Sequence, residues 1–143
     1  MKASGPAALR VLSVVMGAFI LAMGLAKLSW FTDTGPLEDE LRNWWGSAPL
    51  VSRRYIDYVA LPGLPVFARL VPLAELASGA ALLLGYRIRL AAVVSLFMVL
   101  NFHFAMGILF QLAYLTNGYG PPVLGGLVAL ALHDGRLPFS VSR

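Results

Sequence analysis

Positions 90 to 133 hold no Asp, Glu, Lys or Arg. Wound as an α-helix at about 1.5 Å per residue, that stretch would measure roughly 66 Å, about twice the ~30 Å hydrocarbon layer of a bilayer. It must therefore cross, turn and return. The turn is legible at Asn117-Gly118-Tyr119-Gly120-Pro121-Pro122, where Asn-Gly and Gly-Pro interrupt regular structure and the prolines lack the N–H that a continuing helix needs. A third span over 90–112 and a short fourth over 121–132 follow. Earlier in the chain nothing ionisable lies between Arg10 and Lys27, which marks a first span over 7–30. The second, over 66–86, is interrupted by Arg69 and Glu75.

Composition points the same way. The chain is 59% hydrophobic and 13% charged, against about 45–50% and about 25% in soluble domains, so it has too little polar surface to face water. We read one all-α integral membrane domain, a four-helix bundle with an amphipathic helix in the outer loop, 31–65, between spans 1 and 2. The 143 residues leave no room for an additional soluble domain. The first apolar run ends in a small-x-small pattern at Gly24-Leu25-Ala26, but it is longer than a usual signal-peptide core and three more spans follow, so it reads as a retained span.

Cations give the orientation. With the N-terminus inside, Lys2, Arg10, Arg87, Arg89, Arg136 and Arg143 all fall on the cytoplasmic side, which predicts N-in and C-in. The outer loop carries Arg42, Arg53 and Arg54 but also Asp33, Glu38, Asp39, Glu40 and Asp57, five of the chain's seven acids. The expected location is a bacterial-type inner membrane. The net charge of +4 resides at span ends, so the cations read as topology determinants. Nucleic acid is not an expected partner, whereas the bilayer and other membrane-protein subunits are.

Within the outer loop, Pro36 occupies a first-turn position, acids follow near the positive end of the helix dipole, and Gly46 stops the run. Leu37, Leu41, Trp44 and Trp45 share one side, so Trp44 and Trp45, with Trp30, are expected as interfacial anchors; the lesser reading makes the loop helix a lid over a ligand site or a docking surface for a partner. A second piece over 52–61 is closed by Pro62-Gly63-Leu64-Pro65.

Cys is absent, which excludes disulfides, thiolate metal sites, cysteine-held iron–sulfur clusters and CxxCH haem attachment. Any redox work needs a bound organic or histidine-held cofactor. No Walker loop, Rossmann fingerprint, hydrolase elbow or zincin motif is present. A transporter is disfavoured because neither an inverted repeat nor a matched pair of broken spans appears.

An ionisable group in hydrocarbon needs a reason to be there. Lys27 lies about 25 Å of helix beyond Arg10, Glu75 about 9 Å beyond Arg69, and His103 about 21 Å beyond Arg89, which places all three in the outer half of the membrane. Asn101 and Tyr119 complete a candidate polar pocket of Lys27, Glu75, Asn101, His103 and Tyr119. Such a group could pass protons or hydrogen-bond a quinone carbonyl while apolar walls hold the ring. The competing reading is structural, with Glu75 paired to Lys27 and Asn101 and His103 joining helices. Arg69, six residues from Glu75, faces another side, so Lys27 is the expected partner. No metal is expected; His103 as a haem or chlorophyll ligand is the lesser reading, since His133 lies at the opposite side of the membrane. Gly17, Gly24, Ala77, Gly79, Ala81, Gly125 and Gly126 would let helices approach closely.

Leu9-Arg10 through Gly24-Leu25-Ala26-Lys27-Leu28, and then Glu75-Leu76, Gly79 and Leu82-Leu83-Leu84-Gly85-Tyr86-Arg87-Ile88-Arg89, resemble the opening and the E-x-x-x-G-x-x-L-x-x-G segment of DoxX/DoxD-like membrane proteins. With the third span, the resemblance covers about three-quarters of the chain. It implies a four-helix membrane protein acting as an oxidoreductase or as a subunit of a quinone-linked complex such as a thiosulfate:quinone oxidoreductase. Arg10, Lys27 and Glu75 match pattern positions, while the long Trp-rich loop and brief fourth span depart from the shorter members. The expected function is a small membrane subunit of a quinone-linked electron-transfer complex that anchors partners and lines a quinone or proton site. The alternative is a non-catalytic structural subunit of a larger respiratory or photosynthetic assembly.

Overall fold

The computed structural model describes residues 5–141, with helices and no strand among them. Lys2 and Arg143, counted above on the cytoplasmic side, lie outside the described residues. Helices α1 (Gly5–Leu25), α4 (Leu64–Leu84) and α5 (Ile88–Met106) have 21, 21 and 19 residues and are apolar enough to cross a membrane. Large apolar side chains such as Val11, Leu73 and Phe97 stand exposed on their outer faces, as lipid contact requires. Helix α6 (Pro121–Leu132) is equally apolar but has only 12 residues, about 18 Å of rise. The expected four spans thus resolve into three helices of spanning length and a shorter fourth.

Two expected boundaries move. The first span stops at Leu25, five residues before Trp30, because the chain tightens into a 3-10 turn over Leu28–Phe31. The third stops at Met106, because Gly107 takes the left-handed conformation at φ 74° and the chain continues as two 3-10 turns, Ile108–Phe110 and Leu112–Thr116.

The central pairing is α1 against α4. Buried Ser13, Gly17, Ile20 and Gly24 are spaced four, three and four apart, and buried Leu64, Ala68, Val71, Glu75, Ser78 and Leu82 repeat the same alternation. That average of about 3.5 residues is the seam of a left-handed helix pair. The helices run antiparallel, Gly17 lying beside Gly79 and Leu83 and Gly24 beside Glu75 and Leu76. A Cβ on Gly79 would stand 2.5 Å from the Leu21 nitrogen, and one on Gly17 would stand 2.7 Å from that of Leu83. Glycine is what permits this approach.

At the end of the pair where α1 begins, Arg10 donates to the carbonyls of Leu82 at 3.0 Å and Leu83 at 2.7 Å, and Ser13 Oγ adds a 2.7 Å bond to Leu82. These are last-turn carbonyls of α4, beyond the regular helical ladder, and Leu82 otherwise receives a 3.3 Å bond from the Gly85 N–H of the cap. Arg10 is therefore a cap as well as a terminal charge. Deeper in, Ser95 Oγ of α5 donates to Ser78 Oγ of α4 at 3.0 Å, and both are buried. Below them Leu82, Ala92, Leu127 and Leu130 form a core shared by α4, α5 and α6.

The connection between α1 and α4 folds into α2 (Gly35–Ser47), then α3 (Leu50–Tyr55), which continues through a π-helical turn, Ile56–Ala60. Leu37 and Leu41 of α2 are buried against Trp30, Ile56, Ala60 and Val71. The apolar side of α2 is turned to protein rather than laid on lipid. Trp45 leaves that side: it is exposed, its indole donates to Asp57 Oδ2 at 3.1 Å, and the Arg53 guanidinium lies 4.8 Å from its ring.

Candidate functional site

Beyond the end of α1 the seam continues with a charge. Lys27 follows Gly24 by three residues, and its Nζ reaches Glu75 of α4 at 2.9 Å to each carboxylate oxygen. A third bond, at 3.1 Å, goes to the carbonyl of Met23. An ammonium has three donors, and all three have acceptors. The rings of Trp30 and Phe102 each lie 5.6 Å from the same nitrogen, within cation–π range. The two charged side chains are 12% and 6% exposed. Arg69 instead donates to Pro65 on its own helix, because six residues along α4 carry it to another face.

The pair forms part of the wall of a cavity of about 410 Å³. Phe19 and Met23 of α1, Trp44 of α2 and Phe102 of α5 supply apolar wall, and His103 and Tyr119 complete it from other sides. Tyr119 stacks on Phe19 with centroids 6.0 Å apart at 26°, while Trp44 meets Phe102 edge to face at 6.0 Å. The volume falls within the ~300–1,000 Å³ usual for small-molecule sites. His103 is buried, and its Nδ1 lies 2.8 Å from Tyr114 Oη. Burial holds the Tyr114 phenol above its usual pKa of 10.0, so at neutral pH it keeps its proton and can donate to His103.

Four of the five residues expected in the polar pocket, Lys27, Glu75, His103 and Tyr119, line this cavity. Asn101 does not. Two residues along an α-helix turn through about 200°, so Asn101 and His103 face opposite ways. Asn101 Oδ1 accepts from Tyr55 Oη at 2.5 Å, in a narrow cleft against α2 and α3. Of the three tryptophans expected as interfacial anchors, Trp30 is 7% exposed and Trp44 half-buried, and both turn into the cavity wall; only Trp45 stands outside. Among the described residues no group of three or more His, Asp or Glu is arranged to hold a metal ion.

Two further participants, Glu40 and Tyr114, stand outside the expected polar pocket. Glu40, taken as a dipole-stabilising acid, lines the cavity with Trp44; their i, i+4 spacing was the available signal. Tyr114 carried none, because it reaches His103 only after the chain doubles back through the 3-10 turns past Gly107.

Three apolar helices of bilayer length, with a charge pair held in the wall of an aromatic cavity, define an integral membrane protein. The family model for DoxX matches residues 6–108, from α1 to just past the end of α5, and the chain belongs to the DoxX family. The match takes in Arg10, Lys27, Glu75 and His103 and stops before Tyr114 and Tyr119. No curated protein and no solved structure matches the chain.

Proposed function

We propose that this chain is a membrane subunit of a quinone-linked electron-transfer complex, multi-pass in a bacterial-type inner membrane with both termini cytoplasmic, and that the aromatic cavity takes a quinone head. The observation that supports this most is the composition of the cavity wall. Aromatic rings can hold a flat apolar ring, and the wall adds polar groups from separate helices, Lys27 with Glu75, and His103, whose Nδ1 is held by Tyr114 from outside the lining. Reduction of a quinone to a quinol takes up two electrons and two protons. With no cysteine in the chain, the electrons come from a partner subunit; this chain supplies donors to the carbonyl oxygens and a path for protons.

Two cavity tryptophans make the reading testable. A short-chain quinone added to the purified protein in mild detergent should quench Trp30 and Trp44 fluorescence saturably, and the quenching should largely vanish when both are replaced by Phe. Unsaturable quenching that survives in that variant would come from Trp45 and would end the quinone proposal. Purification of the native membrane should also recover partner chains in fixed proportion.

One observation favours a second reading, that of a non-catalytic structural subunit. Every donor of Lys27 already has an acceptor, as in a pair whose work is to hold α1 to α4. On that reading the Lys27→Met, Glu75→Gln double variant assembles and leaves the complex fully active, whereas a quinone or proton role requires the assembled complex to lose activity.

A further inference from the structure

The end of the bundle that carries Arg10 holds a separate cavity of about 580 Å³, between the α4–α5 turn and the segment that follows α6. Its wall brings together Arg87, Arg89, Arg136, His133, Asp134 and Ser140. Among the described residues of the wall there are three arginines and one carboxylate. That carboxylate is exposed and already accepts from Arg89 Nη1 at 3.3 Å. Two buried polar atoms of the wall, His133 Nε2 and Ser140 Oγ, have no hydrogen-bond partner among the described residues. Ser140 is only 8% exposed. Native proteins rarely leave such atoms unsatisfied, and those that are left call for an unplaced partner.

The wall is fixed in place. Gly85 turns the chain at φ 72° and its missing Cβ leaves room for Ser140, whose Oγ would otherwise stand 2.5 Å from it. Val141 N–H donates to the carbonyl of Leu84 at 3.2 Å, and Arg10 reaches the carbonyl of Phe139 at 3.4 Å. The final segment is thus pinned against the turn. Leu90 lines the hollow and is exposed, and Tyr86, Leu132 and Phe139, each next in the chain to a lining residue, are exposed as well, so apolar surface adjoins the basic hollow. Guanidinium groups present planar forks of donors suited to phosphate oxygens, and the bonds described for Arg89 and Arg136 use only part of their five donors each.

We propose that this hollow binds an anionic phosphate group, held by Arg89 and Arg136, with Ser140 Oγ and His133 Nε2 donating to its oxygens. The phosphate belongs either to an acidic phospholipid headgroup, whose acyl chains would lie over the adjoining apolar surface, or to a phosphate in solution. The test uses the full chain in a non-ionic detergent, with phosphatidylglycerol, phosphatidylcholine or inorganic phosphate added, read by thermal shift and native mass spectrometry. A single retained phosphatidylglycerol with a raised melting temperature, and neither effect with phosphatidylcholine, identifies the lipid source. A shift with inorganic phosphate that phosphatidylglycerol does not increase identifies the soluble source. In either case Arg136→Gln should weaken binding about fivefold, the change that about 1 kcal/mol per cation corresponds to. Ser140→Ala, which removes one unpartnered hydroxyl and disturbs the fold least, should weaken it as well. Equal retention of both lipids with no response to phosphate overturns the proposal, and so does wild-type binding in both variants.

Discussion

Replacing Glu75 by Gln keeps the shape of the side chain and removes its charge. Lys27 Nζ lies 2.9 Å from the carboxylate, a separation at which two unit charges attract by about 6 kcal/mol at an effective dielectric of about 20. The desolvation of both ions offsets much of that. The variant, however, keeps the burial and loses the charge attraction, leaving a buried ammonium with only neutral acceptors, the Gln amide oxygen and the Met23 carbonyl, beside two aromatic faces. Breaking one side of a buried pair costs about 3–5 kcal/mol, whereas removing both ions together is often close to neutral. Glu75→Gln should therefore lower unfolding free energy in mixed micelles by about 3–5 kcal/mol, and Lys27→Met should be of similar effect. The double variant should recover at least about 2 kcal/mol relative to the sum of the single changes. A Glu75→Gln protein within about 0.5 kcal/mol of wild type, or strictly additive single effects, would show that the pair does not join α1 to α4.

Gly79→Ala should destabilise by about 1–3 kcal/mol, the usual range for overpacking, because the new Cβ meets the backbone of Leu21; thermal denaturation in detergent measures it. Arg10→Met removes the cap on Leu82 and Leu83 and should cost about 1.5–3 kcal/mol, the worth of a bond from a charged donor, read in the same assay. Burial raises the phenol pKa of Tyr55 above 10.0, with desolvation outweighing the Asn101 hydrogen bond, and burial raises that of Tyr114 too. The folded protein therefore favours their protonated forms. That contribution is complete below pH 10 and is lost as pH rises through the folded values, so Tyr55→Phe combined with Tyr114→Phe should flatten the alkaline fall in stability.

Much of this was legible because hydrocarbon punishes charge so heavily. The uncharged stretch after Arg89 and the gap between Arg10 and Lys27 located helices, and the depth of Glu75 singled out Lys27 as its partner. Periodicity carries a second signal: counting by fours and threes from Ser13 arrives at Lys27, and the same count along α4 arrives at Glu75, so both charges sit on the seam. Depth without rotation is what misplaced Asn101, which shares a level with His103 but not a face. The end of the third span was hidden for another reason. The residues past Gly107 are as apolar as those before it, and only backbone geometry at that glycine ends the helix. The way Trp30 turns inward depends on the preceding 3-10 turn, which hydropathy does not encode.

The partner of Lys27 lies 48 residues further along the chain. At a synthesis rate of about 5–20 residues per second, α1 is complete some 2–10 s before Glu75 exists. During that interval the lysine needs water, and its place just past the last turn of α1 lets its long side chain reach the membrane boundary. The carboxylate, set in the middle of α4, is born into a membrane where its cation is already waiting. Exchanging the two residues would leave the pair intact on paper but would send a lysine into the interior of a later helix and leave an acid at the end of the first, so the order of the charges along the chain records the order in which the ribosome delivers them.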